Sequence, residues 1–110
     1  MLQPGQFYHP YNHANGNENL FREEKNYHLF LAKTSKYLTS YMNIYAYCLM
    51  PNHFHLLISI KEEKQLYEVL SKSNSFKNLS EINQIQYMYD KISKSLSKLF
   101  SSYTQSYNRV

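Results

Sequence analysis

The order of periodic segments in this 110-residue chain is strand, helix, strand, strand, helix. That order predicts an α+β fold, an antiparallel sheet with its helices packed on one face. Three observations carry the prediction. Residues 53–60 place Phe54, Leu56, Ile58 and Ile60 at every second position, the period of a strand with one apolar face. A second β-rich segment, 43–50, lies just before it across Pro51 and Asn52, so the two are expected to form a tight antiparallel hairpin. Two further segments repeat apolar residues at the 3.6 spacing of amphipathic helices.

Residues 6–12 are rich in aromatic rings and hold Pro10 near their centre, which predicts a short first strand at a sheet edge or end. Asn12 to Asn19 then reads as a loop. From Glu24 to Leu38, Tyr27, Phe30, Leu31, Thr34, Tyr37 and Leu38 share a helical face while Lys25, Lys33 and Lys36 turn to water. Lys61 to Lys64 is a charged, solvated run. Leu66, Val69 and Leu70 open another helix that Ser73-Asn74-Ser75 interrupts. The last helix is expected over 82–107, with Ile85, Met88, Tyr89, Ile92, Leu96, Leu99, Phe100, Tyr103 and Tyr107 as an apolar stripe and Lys91, Lys94 and Lys98 off it.

Composition bounds the function. The length and 43% hydrophobic content suit one compact domain spanning 1–110 and leave no room for two. No apolar run approaches a membrane span and the N-terminus lacks a signal-peptide plan, so a cytoplasmic protein with no membrane partner is the expectation. The single Cys48 excludes a disulfide framework and a thiolate metal cluster, and within a β-rich segment it reads as a small buried hydrophobe. A net charge of +4 favours a polyanionic partner modestly. Twelve Tyr and six Phe offer stacking surfaces for single-stranded or hairpin nucleic acid, although rings at strand and helix periods also serve as core.

The chemistry concentrates in Met50-Pro51-Asn52-His53-Phe54-His55-Leu56-Leu57. In an extended strand His53 and His55 share one face with Leu57 and Ser59, opposite the apolar face. Two neutral imidazoles side by side are able to hold one divalent metal through ring nitrogens. Asn52 suits the turn that precedes them.

The longer string Tyr45-Ala46-Tyr47-Cys48-Leu49-Met50-Pro51-Asn52-His53-Phe54-His55-Leu56-Leu57-Ile58 closely resembles the signature of the single-tyrosine HUH transposases, especially the REP-associated tyrosine transposase branch. The opening Phe7-Tyr8-His9-Pro10-Tyr11-Asn12 and the segment Tyr103-Thr104-Gln105-Ser106-Tyr107-Asn108-Arg109 resemble two more family segments in the right order. The resemblance departs at His13 and Ala14, where the family carries Arg and Gly, which weakens phosphate binding by that loop.

The resemblance implies a ferredoxin-like βαββαβ plan, of which this chain supplies βαββα and not the last strand. It also implies that the last strand and the helix bearing the nucleophilic tyrosine lie beyond Val110, so that 1–110 is a C-terminally incomplete transposase domain. The implied reaction is single-strand DNA cleavage and rejoining, in which a tyrosine oxygen attacks a phosphodiester and leaves a 5′-phosphotyrosine and a free 3′-hydroxyl. His53 and His55 would hold Mg²⁺ or Mn²⁺ in turnover, with Ni²⁺ or Zn²⁺ able to take the site in a crystal. Tyr103 is the substitute nucleophile within the chain, set against a core-packing role. Asn12, His13, Lys91, Lys94, Lys98 and Arg109 are the candidate DNA contacts, and an uncompleted sheet edge is open to homodimer formation. Two other readings stay open: a non-catalytic nucleic-acid-binding remnant and a small interaction domain with an incidental histidine pair.

Overall fold

A computed structural model describes residues 2–13 and 19–108. Two short strands, β1 (Phe7–Tyr8) and β2 (Tyr11–His13), are followed by helix α1 (Glu24–Leu38) and the strands β3 (Met42–Met50) and β4 (His53–Ile60). Helices α2 (Glu63–Leu70), α3 (Asn74–Lys77) and α4 (Glu81–Asn108) complete the chain. All strand pairings are antiparallel, and β4 is central, with β3 on one side and β1 and β2 along the other. This is the α+β arrangement expected, consistent with the ferredoxin-like plan.

β1 and β2 are one strand interrupted at Pro10. Phe7 lies opposite Ser59 and Tyr11 opposite His55, so four steps forward on one strand match four steps back on the other. Proline has no N–H to give, but its carbonyl still accepts from Leu56 N at 2.9 Å. The strand therefore runs past Pro10 and includes Asn12 and His13. The expected loop from Asn12 is corrected at those two residues, because pairing with Phe54 and His53 holds them extended; residues 14–18 lie outside the described set.

The hairpin closes as expected, with Met50 opposite His53 across Pro51 and Asn52. Its turn is anchored by the Pro51 carbonyl, which accepts from Leu20 N at 2.8 Å and Phe21 N at 3.0 Å. Between Ile44 and Ala46 the register of β3 slips, so Tyr45 and Ala46 together oppose Leu57. Such a bulge turns every later side chain to the other face. Straight alternation from Ile44 would send Cys48 inward, whereas the bulge sets it opposite His55 on the outer face. The expectation of a buried Cys48 is thus overturned: the thiol is exposed.

The core lies between the sheet's inner face and the helices. Phe54, Leu56, Ile58 and Ile60 meet Phe30 and Leu38 of α1 and Met88, Ile92, Leu99 and Tyr103 of α4, all buried. α1 buries every fourth residue from Asn26, and the Asn26 side-chain oxygen accepts from the backbone of Arg22 and Glu23 to close its N-terminus. The predicted stripe on α4 holds from Met88 to Tyr103 but fails earlier: Ile82 is 79% exposed and Ile85 is 40% exposed. At 28 residues α4 is ~42 Å long, so its first turns overhang the shorter sheet. The Tyr107 side chain lies outside the described residues.

Candidate metal and nucleic-acid site

β4 delivers the two histidines as strand alternation requires. Its inner residues are buried while His53 and His55 stand half-exposed on the outer face, their rings edge to face with centroids 5.3 Å apart. Helices do not cover this face among the described residues. The first strand, at register with β4, adds two more imidazoles that the HxH spacing does not announce. His9 Nε2 lies 2.8 Å from His55 Nδ1, and the His13 ring stacks on His53 at 4.7 Å. Four of the chain's five histidines therefore meet on one surface. Tyr11 joins them, exposed and stacked against His55 at 5.9 Å. The usable signal for His9, His13 and Tyr11 was their odd-numbered alternation, hidden by Pro10.

Hydrogen bonds set which ring nitrogens remain open. His53 Nδ1 is 2.7 Å from the Asn52 side-chain oxygen, an acceptor, so Nδ1 carries the proton and Nε2 keeps a free lone pair. Asn52 thus does more than shape the turn. His9 Nε2 engages His55 Nδ1, and in the tautomer in which His55 is the donor its own Nε2 lone pair is open. Desolvation, then the neighbouring His9, His53 and His13, hold the His55 pKa below the ordinary 6.5. This favours the neutral form of His55, the form that ligates metal.

The donor set fits a divalent ion as a two-imidazole edge. Among the described residues no group of three His, Cys, Asp or Glu side chains is placed to enclose one. His9 is engaged with His55 and His13 lies flat on His53, so neither aims a lone pair beside the pair. The remaining coordination positions are left to water, phosphate oxygens or groups outside these residues.

The other sequence candidates fall elsewhere. Asn12 points to the inner face opposite Phe54, lining a small cavity of about 40 Å³ with Phe100 and Tyr103. Tyr103 is buried, and its hydroxyl donates to the Leu20 carbonyl at 2.6 Å, so it presents no free oxygen to the histidine face. Lys91, Lys94 and Lys98 do converge, with Lys36, Tyr37 and Ser95, around a hollow of about 180 Å³ in the helical layer, across the sheet from the histidines. The ion pairs among the described residues are Lys25 with Glu23 and His28 with Glu24, which leaves those four lysines without a carboxylate. Tyr37, which lines the hollow, has its pKa lowered first by its hydrogen bond with Ser102 and then by the charges of Lys36 and Lys33, against desolvation that raises it. Arg109 lies outside the described residues.

In comparison with known proteins, the family model described as "Transposase IS200 like" matches residues 7–109. No curated protein and no solved structure matches the chain.

Proposed function

We propose, from the premise that this chain belongs to the IS200-like transposase family, that it is the metal-holding and DNA-binding part of a single-strand DNA transposase of the REP-associated branch. The observation that carries the reading is the pairing of His53 and His55, whose Nδ1 atoms are engaged by Asn52 and His9 while both Nε2 atoms stay open on one face. His53 and His55 would hold a divalent ion there, which when bound would supply polarisation of a scissile phosphate and stabilisation of its leaving oxygen. The chain's own residues orient the two ligands through Asn52 and His9 and favour the neutral form of His55. Their strands carry no carboxylate that would repel a phosphate.

In this reading the lysine hollow contacts backbone phosphates of a hairpin or single strand. No helix of the described chain is long and apolar enough to cross a membrane. Tyr103 is committed to the core and is not expected to serve as the nucleophile. The chain alone is then expected to bind DNA without cutting it. The outer edge of β1 and β2 has no strand partner among the described residues, which leaves it open to a second copy.

Incubation with Mn²⁺ and a labelled hairpin oligonucleotide, followed by denaturing electrophoresis, tests the chemistry. The expected result is no covalent protein–DNA band. A band abolished by Tyr11→Phe would assign the nucleophile to the exposed tyrosine beside His55, and one abolished by Tyr103→Phe would refute the core assignment. Calorimetry with Mn²⁺ tests the site itself: equal affinity in the chain and in its His53→Ala, His55→Ala variant would refute it.

A further inference from the structure

The outer face of the sheet carries more than histidines. Of the large hydrophobic residues that stand exposed, Phe7, Tyr11, Tyr45, Met50 and Leu57 all lie on it. Exposed apolar surface gathered on one face marks a place where something binds. Phe7 and Tyr45 are the sharpest case. They come from the two strands that flank β4 and meet above Ser59, with ring centroids 5.2 Å apart and planes tilted by 37°. Phe7 is 61% and Tyr45 56% exposed.

The pair is held in place from beneath. Tyr45 sits in the bulge of β3, the irregularity that re-aims a side chain. Its hydroxyl accepts from Ser59 Oγ at 3.3 Å, and Ser59 in turn accepts from the Asn43 amide at 3.3 Å. The Tyr45 ring is thus fixed at its hydroxyl, while both rings stay more than half exposed. Ser59 is four residues from His55 on the same strand, a separation of ~13 Å. A shallow depression of about 170 Å³ lies beside His55 toward Leu57, lined also by His9, Ala46 and Cys48.

We propose that Phe7 and Tyr45 form a stacking subsite for unpaired nucleobases, taking the single strand that runs along β4 from the histidine pair. The assignment rests on the transposase reading above for the identity of the strand. Planar open rings match planar bases, and stacking on an aromatic platform tolerates any base sequence. None of the four strands contributes an Asp or Glu, so a phosphate backbone crosses this face without repulsion. A second copy seated face to face is the less favoured occupant, because it would bring together two chains of net charge +4.

The test is fluorescence anisotropy of end-labelled single-stranded oligonucleotides with the full chain in EDTA, where metal plays no part. Phe7→Ala and Tyr45→Ala are each expected to weaken binding about tenfold, while Tyr45→Phe, which keeps the ring, binds as the parent does. A fully duplex oligonucleotide, with its bases stacked internally, should not distinguish the variants. Unchanged single-strand affinity in both alanine variants, with thermal melts showing them folded, would overturn the proposal. So would a failure of the parent to bind any single strand, or light scattering that shows a dimer dissolved by these substitutions. The His53→Ala, His55→Ala variant separates the two readings. If the metal site is wrong, Mn²⁺ calorimetry fails while the stacking result stands; if the platform is wrong, the reverse holds.

Discussion

Replacing Asn52 by Ala perturbs the metal site without touching a ligand. The Asn52 side-chain oxygen lies 2.7 Å from His53 Nδ1, so the amide holds the tautomer that leaves Nε2 free. Removing such an orienting partner from a metal-bound histidine costs about 10- to 100-fold in affinity. Asn52 is exposed, and water can take over part of its bond, which places the expected loss near the lower end, about tenfold or ~1.4 kcal/mol. Asn52→Asp should retain or exceed the parent affinity, because a carboxylate accepts the same proton more strongly. Calorimetry with Mn²⁺, repeated with Ni²⁺ for its higher affinity to imidazole, reads the effect. Thermal melts of the metal-free variants check that the turn is intact. Parent-like affinity in Asn52→Ala, together with loss of binding in His53→Ala, would refute the orienting role.

Four other outcomes follow from the structure. Replacing Lys91, Lys94 and Lys98 by Ala should lower the slope of log affinity for single-stranded DNA against log salt by about 2, three contacts at ~0.7 each, and an unchanged slope would remove the hollow from the DNA surface. The His55 pKa is lowered on folding, so the unfolded chain takes up this proton first; stability measured by urea in EDTA should be level above pH 6.5 and fall as pH drops through the lowered folded value, and stability that rises on acidification would contradict this. Phe30 is buried against Phe21, Phe54 and Tyr103, so Phe30→Ala should cost about 3–5 kcal/mol in urea unfolding, whereas a loss under about 1 kcal/mol would move it out of the core. Cys48 should react with a thiol reagent in the native state as fast as in urea; protection until unfolding would mean that the bulge is absent.

How much of this was legible in the sequence depends on which strand is read. On β4 a period of two was enough: Phe54, Leu56, Ile58 and Ile60 are buried and both histidines face outward. A central strand has neighbours on both sides, so its register is pinned and its faces are cleanly divided. The helices were equally readable where they lie over the sheet. They misled at Ile82 and Ile85, which stand exposed, and at Lys33, expected in water but half-buried and donating to Ser102 of α4, because periodicity reports a face and not what lies opposite it.

The flanking strands escaped that reading because each contains a one-residue irregularity, and those irregularities build the site. Pro10 looks like the end of a strand, yet it only omits one donor, and the register continues to bring Tyr11 and His13 opposite His55 and His53. The bulge at Tyr45 leaves no mark in composition, yet it reverses the facing of Ala46, Cys48 and Met50 and raises Tyr45 beside Phe7. A straight β3 would hide Cys48 and bring Ala46 inward, removing the floor of the depression beside His55. A first strand that stopped at Pro10 would leave His13 unable to stack on His53. The histidine pair is therefore a property of β4 alone, whereas the surface around it is a property of how its two neighbours depart from regular alternation.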